Sequence, residues 1–142
     1  MLLNKCIKIL LTQLVIEKTC DELVLIDRNE DMAWAEVTAS NHLLCYTEWK
    51  MRVSQGATKD CSDADIVVLS VAGRNEEGMT VLDMTESAGA IVKNIVPEIM
   101  KSGFDGIFVV ITNPVDVMTY LVQKLSGLPA NRVIGKNVTY FR

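Results

Sequence analysis

The sequence predicts an α/β protein built on a doubly wound, mostly parallel sheet. Three observations lead there. Short apolar runs, several rich in β-branched residues, recur at 23–26, 66–70, 107–111 and 133–134, with 51–54 a weaker fifth. Longer segments with three- and four-residue apolar spacing lie between them, and strands alternating with helices imply parallel pairing through crossovers. At Ile111-Thr112-Asn113-Pro114-Val115-Asp116 a buried-type strand turns polar and runs straight into a helix. The carboxyl end of a strand, just before a helix, is where open α/β sheets put ligand contacts.

Residues 2–18 read two ways. Leu3, Cys6 or Ile7, Leu10 and Leu14 recur at helical spacing with Asn4 as a cap, whereas 6–11 alone suits a strand. The helix is the favoured reading. The strand Leu23-Val24-Leu25-Ile26 follows and ends at Asp27. Residues 29–44 form a helix with Met32, Ala35, Glu36 and Ala39 on one side and an acidic entry across 27–31. Helix 79–100 places Val81, Met84, Ala88, Ile91, Ile95 and Ile99 at three- or four-residue steps. Pro97 should kink or interrupt it, and Ser102-Gly103 closes it. After strand 107–111, Pro114 sets φ for the first turn of helix 115–125. Ser126-Gly127 ends that helix, with Pro129 beyond, and strand 133–134 follows.

A chain of 142 residues, 49% of them hydrophobic, fits one domain, 1–142, with a sizeable core. A net charge of −4 and no long basic run give no electrostatic case for nucleic acid. Four cysteines, Cys6, Cys20, Cys45 and Cys61, have no CxxC spacing, and one histidine leaves few ligands for a metal. Such scattered thiols read as buried core residues in a reducing compartment. The apolar N-terminal stretch is interrupted by Lys5 and Lys8 and closed by Glu17 and Lys18, with no clear cleavage site. It is shorter than a membrane span needs. The expectation is a cytoplasmic protein outside any membrane.

Few residues can carry chemistry. Asp27, at a strand's carboxyl end, suits the paired hydroxyls of an adenosine ribose; its plain alternative is capping the next helix. Ala72 and Gly73, in Val71-Ala72-Gly73-Arg74, would let a nucleotide approach the backbone, or simply end a strand. Asn75-Glu76-Glu77-Gly78 reads as a solvated loop. Thr112 and Asn113 offer a hydroxyl and an amide to a ligand; the plain alternative is a turn and N-cap in which Asn113 satisfies backbone groups. His42 is the sole histidine and lacks a readable orienting partner. Trp34, Tyr46 and Trp49 read as packing residues. No G-x-G-x-x-G follows any strand, so the usual close approach to a pyrophosphate is missing.

Four motifs in order resemble one family. They are Asp21-Glu22-Leu23-Val24-Leu25-Ile26-Asp27, Asp63-Ala64-Asp65-Ile66-Val67-Val68, Ile111-Thr112-Asn113-Pro114-Val115-Asp116, and Leu125-Ser126-Gly127-Leu128-Pro129-Ala130-Asn131-Arg132-Val133-Ile134-Gly135. Together they look like the lactate/malate dehydrogenase family, nearest its lactate and L-2-hydroxyisocaproate dehydrogenase branch. The resemblance implies a Rossmann NAD-binding domain, followed in full-length members by a catalytic domain. It implies that Asp27 holds the adenosine ribose and that Ala72 and Gly73 line the nucleotide. It puts Thr112 and Asn113 near nicotinamide, with Asn113 also touching substrate. It implies, too, that helix 29–44 takes part in subunit pairing.

The departures from that family are specific. Counting back from Asp27, its three loop glycines fall on Leu2, Asn4 and Ile7, and its first strand falls before Met1. The sheet order 3-2-1-4-5-6 then lacks its middle strand, so the neighbours must pair with each other or leave open edges. Residues 6–11 could serve as a replacement strand at the expense of the first helix. Val81 stands at the family's substrate-polarising arginine, and residues 135–142 replace the segment with its Asp and substrate-binding Arg. The catalytic histidine has no counterpart, His42 matching a helix position. Two expectations follow. The chain is the NAD-binding part of a 2-hydroxy acid dehydrogenase, inactive alone; or it is a non-catalytic partner that pairs with itself or with a full-length paralogue.

Overall fold

Residues 2–18 resolve as helix: α1 spans Lys5–Glu17. The replacement strand at 6–11 is therefore overturned, because those residues lie inside a continuous helix. The computed structural model describes residues 5–48, 50–73 and 80–136, without the side chains of 5–9 and 81. Trp49, the loop 74–79 with Arg74 and 75–78, Leu2, Asn4 and the segment 137–142 fall outside the described residues, as do the side chains of Ile7 and Val81.

Packing divides the chain into two units, Met1–Ala57 and Thr58–Arg142. The first holds α1, β1 (Glu22–Leu25), α2 (Glu30–Leu44) and β2 (Arg52–Gln55). β1 and β2 pair in parallel, Leu23 opposite Val53 and Leu25 opposite Gln55. Two small apolar clusters hold the helices to this sheet: Leu11, Leu25 and Ala33, and Val15, Leu44 and Val53. The buried stripe of α2 is Ala33, Ser40 and Leu44, whereas Ala35 and Ala39 are exposed. An alanine-rich helix has little contrast between its faces, so small residues at 33 and 40 decide which side approaches the sheet. Asn41 Nδ2 donates to Val53 O at 3.1 Å and fixes that orientation.

The second unit holds β3 (Ile66–Leu69), α3 (Val81–Lys101), β4 (Ile107–Val110), α4 (Val115–Ser126) and β5 (Val133–Gly135), with short 3-10 turns at Thr58–Cys61 and Ala130–Arg132. Its sheet order is β3-β4-β5, all parallel. Phe108, Val110, Val92, Val96, Met118 and Val122 are fully buried, each worth about 1.5–3 kcal/mol of burial. Phe104 meets Phe108 edge to face at 4.8 Å between ring centres. The buried stripe of α3 is Ala88, Val92, Val96 and Ile99, while Ile91 and Ile95 are only half-buried beside it. Pro97 does not interrupt α3, which runs for 21 residues through it. Val96 and Ile99, buried on either side, hold the helix to the core across the missing backbone hydrogen bond.

The strands recovered are those of a doubly wound order without its first strand: 2 with 3, and 4 with 5 and 6. Among the described residues β1 has β2 as its one ladder partner, and β3 has β4. Helix ends follow the sequence closely. Thr80 and Asp83 form a capping box at the start of α3, Gly103 adopts φ 96° just beyond Ser102, and Gly127 closes α4 at φ 68°.

Candidate functional site

The second unit brings two loops together at the carboxyl ends of β3 and β4, because Leu69 stands opposite Val110 in the register. One loop is Val71-Ala72-Gly73; the other is Ile111-Thr112-Asn113-Pro114. Thr112 is 2% exposed, and its hydroxyl is committed to β3. Oγ1 accepts the Val71 amide at 2.7 Å and donates to Leu69 O at 3.3 Å. Leu69 O also accepts the Ile111 amide at 3.0 Å, so both of its lone pairs are engaged.

Asn113 is exposed, and among the described residues its side chain makes no hydrogen bond. It does not satisfy the turn's backbone, which was the plain alternative. Pro114 occupies the N-cap of α4, not its first turn, at φ −72° and ψ 123°, with no side-chain cap; the Asn113–Pro114 peptide is cis. Asn113 therefore leaves the chain at the end of β4 with an amide open to a ligand.

Gly73 has a different reason to be glycine from the one expected. A Cβ there would lie 2.3 Å from Ser87 Oγ and 2.4 Å from Met84 O. The space beside it is filled by the second turn of α3. Ala72, beside it, is half-buried. Ser70 is 2% exposed, and its Oγ has no partner among the described residues.

In the first unit, Asp27 lies just past the carboxyl end of β1 and is half-buried. Its Oδ1 accepts the Asn29 amide at 2.8 Å, and Asn29 Oδ1 accepts the Met32 amide at 3.1 Å. Asn29 is thus the cap of α2, and Asp27 braces the capping residue. His42 sits exposed in the last turn of α2, and Trp34 is 63% exposed on the same helix.

The cysteines correct one expectation. Cys61 is buried and Cys20 half-buried, but Cys45 is exposed, at the end of α2, where its Sγ donates to Asn41 O. Burial, helped by Asp60, pushes the Cys61 thiol above its ordinary value; burial and Asp21 do the same to Cys20. Among the described residues no group of three His, Cys, Asp or Glu side chains could hold a metal ion, and no helix is long and apolar enough to cross a membrane.

Sequence reasoning gave Thr112 a ligand contact and missed its backbone role. The β-branched hydroxyl one residue past a strand end was the available signal. It also missed the Ser70 hydroxyl, which apolar periodicity cannot reveal.

Residues 7–135 match the family model of the lactate/malate dehydrogenase NAD-binding domain. The chain is 51% identical over 116 residues to L-lactate dehydrogenase of Macrococcus caseolyticus, spanning 82% of this chain and 37% of that one. The minor L-lactate dehydrogenase of Enterococcus mundtii, in its ligand-bound crystal structure, aligns with a TM-score of 0.84 at 40% identity, over 89% of this chain and 40% of that chain. Malate dehydrogenase of Aeropyrum pernix aligns with a TM-score of 0.80 at 31% identity, over 88% and 41%. The chain thus spans well under half the length of these relatives.

Proposed function

The chain belongs to the lactate/malate dehydrogenase family and corresponds to its NAD-binding domain, and on that premise we propose that it binds NAD through Asp27 and Asn113. The observation that carries this reading is the uncommitted amide of Asn113, exposed at the carboxyl end of β4. That end of a parallel sheet is where dinucleotides bind in doubly wound folds. Asp27 keeps a carboxylate at the corresponding end of β1, where ribose hydroxyls are donors to accept. Ala72 and Gly73 follow β3 in the loop whose Val71 amide Thr112 holds at the end of β4. We take 1–142 as one NAD-binding domain.

The fit is good at these points and weak at the pyrophosphate, since Leu2, Asn4 and Ile7 stand at the family's glycine positions. Bound, the cofactor would supply a hydride acceptor or donor toward a 2-hydroxy or 2-oxo acid. The chain's own residues contribute less to that reaction. Val81 cannot polarise a carbonyl as an arginine would, and His42 lies in the last turn of a helix, facing solvent. The proposed activity of the 142-residue chain is therefore cofactor binding without turnover, in the cytoplasm.

Isothermal titration with NADH tests this. Saturable heat at millimolar cofactor supports it, and no heat at that concentration removes it. A second reading has its own observation. Trp34, 63% exposed on α2, is a large apolar side chain left in water, as a pairing surface would present it. That reading gives a homo-oligomer, or a complex with a full-length paralogue. Sedimentation velocity showing a strict monomer, alone and mixed with such a paralogue, would count against it.

A further inference from the structure

We propose that Thr112 is a positioning residue: its hydroxyl latches the Val71-Ala72-Gly73 loop to the end of β4, and so sets where Asn113 and that loop meet a nucleotide. The claim rests on the NAD-binding reading for its functional half and on geometry for the rest.

The parallel ladder between β3 and β4 runs regularly up to Ile111, whose amide donates to Leu69 O at 3.0 Å. The next rung would take the Val71 amide to a backbone carbonyl of β4. The Val71 amide goes instead to Thr112 Oγ1, at 2.7 Å. A side chain replaces a backbone rung. The substitution has two effects. The β4 backbone is released one residue early, so Asn113 can turn away from the sheet. The β3 loop still has a fixed partner at the point where its own strand pairing stops.

The hydroxyl is well suited to this. A threonine hydroxyl has one hydrogen to give and two lone pairs. Here it gives its hydrogen to Leu69 O and receives that of Val71, two residues 41 and 43 positions away in sequence. At 2% exposure no water competes for either bond. The β-branch restricts χ1, which keeps the oxygen aimed across the strands. A serine retains both bonds with a freer side chain, whereas a valine of the same shape retains neither. It would leave a buried amide without an acceptor, and such groups are costly.

On the other side of the loop, Gly73 lies against Met84 and Ser87 of α3. Held by Thr112 at one end and by α3 at the other, Ala72 has little room to move. Thr112 therefore acts through Val71 and Asn113, and its hydroxyl has little capacity left for a ligand.

The experiment compares the parent chain with T112V and T112S by amide hydrogen exchange in NMR spectra, and by NADH titration. In T112V, exchange of the Val71 amide should rise about tenfold, the cost of one buried bond. The Asn113 resonance should shift, while the core amides of Val92, Val96 and Val122 stay protected. NADH affinity should fall about tenfold by the same argument, and T112S should restore both within about twofold. A folded T112V with parental Val71 protection and parental NADH affinity overturns the proposal. Should T112V fail to fold, T112S decides: Val71 protection kept supports the latch, and protection lost overturns it. A parent chain that binds no NADH defeats the cofactor reading, yet the Val71 and Asn113 signals still decide the latch.

Discussion

Gly73 lies so close to Ser87 that a single added carbon would sit 2.3 Å from the serine Oγ. The serine hydroxyl could rotate away, although it now donates to Met84 O at 2.9 Å. The Met84 carbonyl, 2.4 Å from the same point, is helix backbone and cannot. G73A should therefore destabilise the chain by about 1–3 kcal/mol, the usual cost of overpacking. Urea unfolding measures it. The double variant G73A/S87A should recover little, because the Met84 clash remains. A G73A midpoint equal to the parent's would show that the loop yields freely.

The start of α3 predicts a pH effect. Thr80 donates to Asp83 Oδ2 through its hydroxyl at 2.7 Å and its amide at 2.8 Å. These bonds, the side-chain one foremost, hold the Asp83 carboxyl below its ordinary value of 3.8. The unfolded chain binds that proton more readily, so the cap's stabilisation is complete above 3.8 and is lost as pH falls through the lower folded value. Thermal melts of the parent should lie above those of D83N at neutral pH. The two should begin to converge once the pH drops below 3.8. A constant gap across that range would mean that ionised Asp83 does not carry the cap.

Ser70 gives a prediction of opposite sign. Its hydroxyl is buried with no partner among the described residues, and such a group costs about 1–3 kcal/mol. S70A should leave stability unchanged or raise it in chemical denaturation. A lowered midpoint would reveal a bond that the hydroxyl makes in solution.

Most of the fold is legible in the sequence, and particular residues show where legibility stops. Each strand, and each of α2, α3 and α4, is found within two residues at either end, since burial imposes the periods that reveal them. The inward face of α2 is not, because Ala33, Ala35 and Ala39 look alike by hydropathy while only the sheet distinguishes them. Pro97 looks like a breaker by local rules, but Val96 and Ile99 outweigh one missing backbone hydrogen bond. In the candidate site the residue types are legible and their commitments are not. Asp27, Gly73, Thr112 and Asn113 all read as ligand groups. The structure gives Gly73 to α3, Thr112 to β3 and one oxygen of Asp27 to Asn29, leaving only Asn113 uncommitted. Such commitments span up to 43 positions, beyond the reach of any local pattern.

The central claim is that the corner at the end of β4 receives a dinucleotide. Titrating NADH into the isotopically labelled 142-residue chain and following every amide resonance tests it most directly. The account predicts saturable shifts concentrated at Asn113, Ala72 and Gly73, with a second group at Asp27, and their loss at the corner in N113A. Shifts scattered over the surface, or none at Asn113 at saturating cofactor, would contradict it.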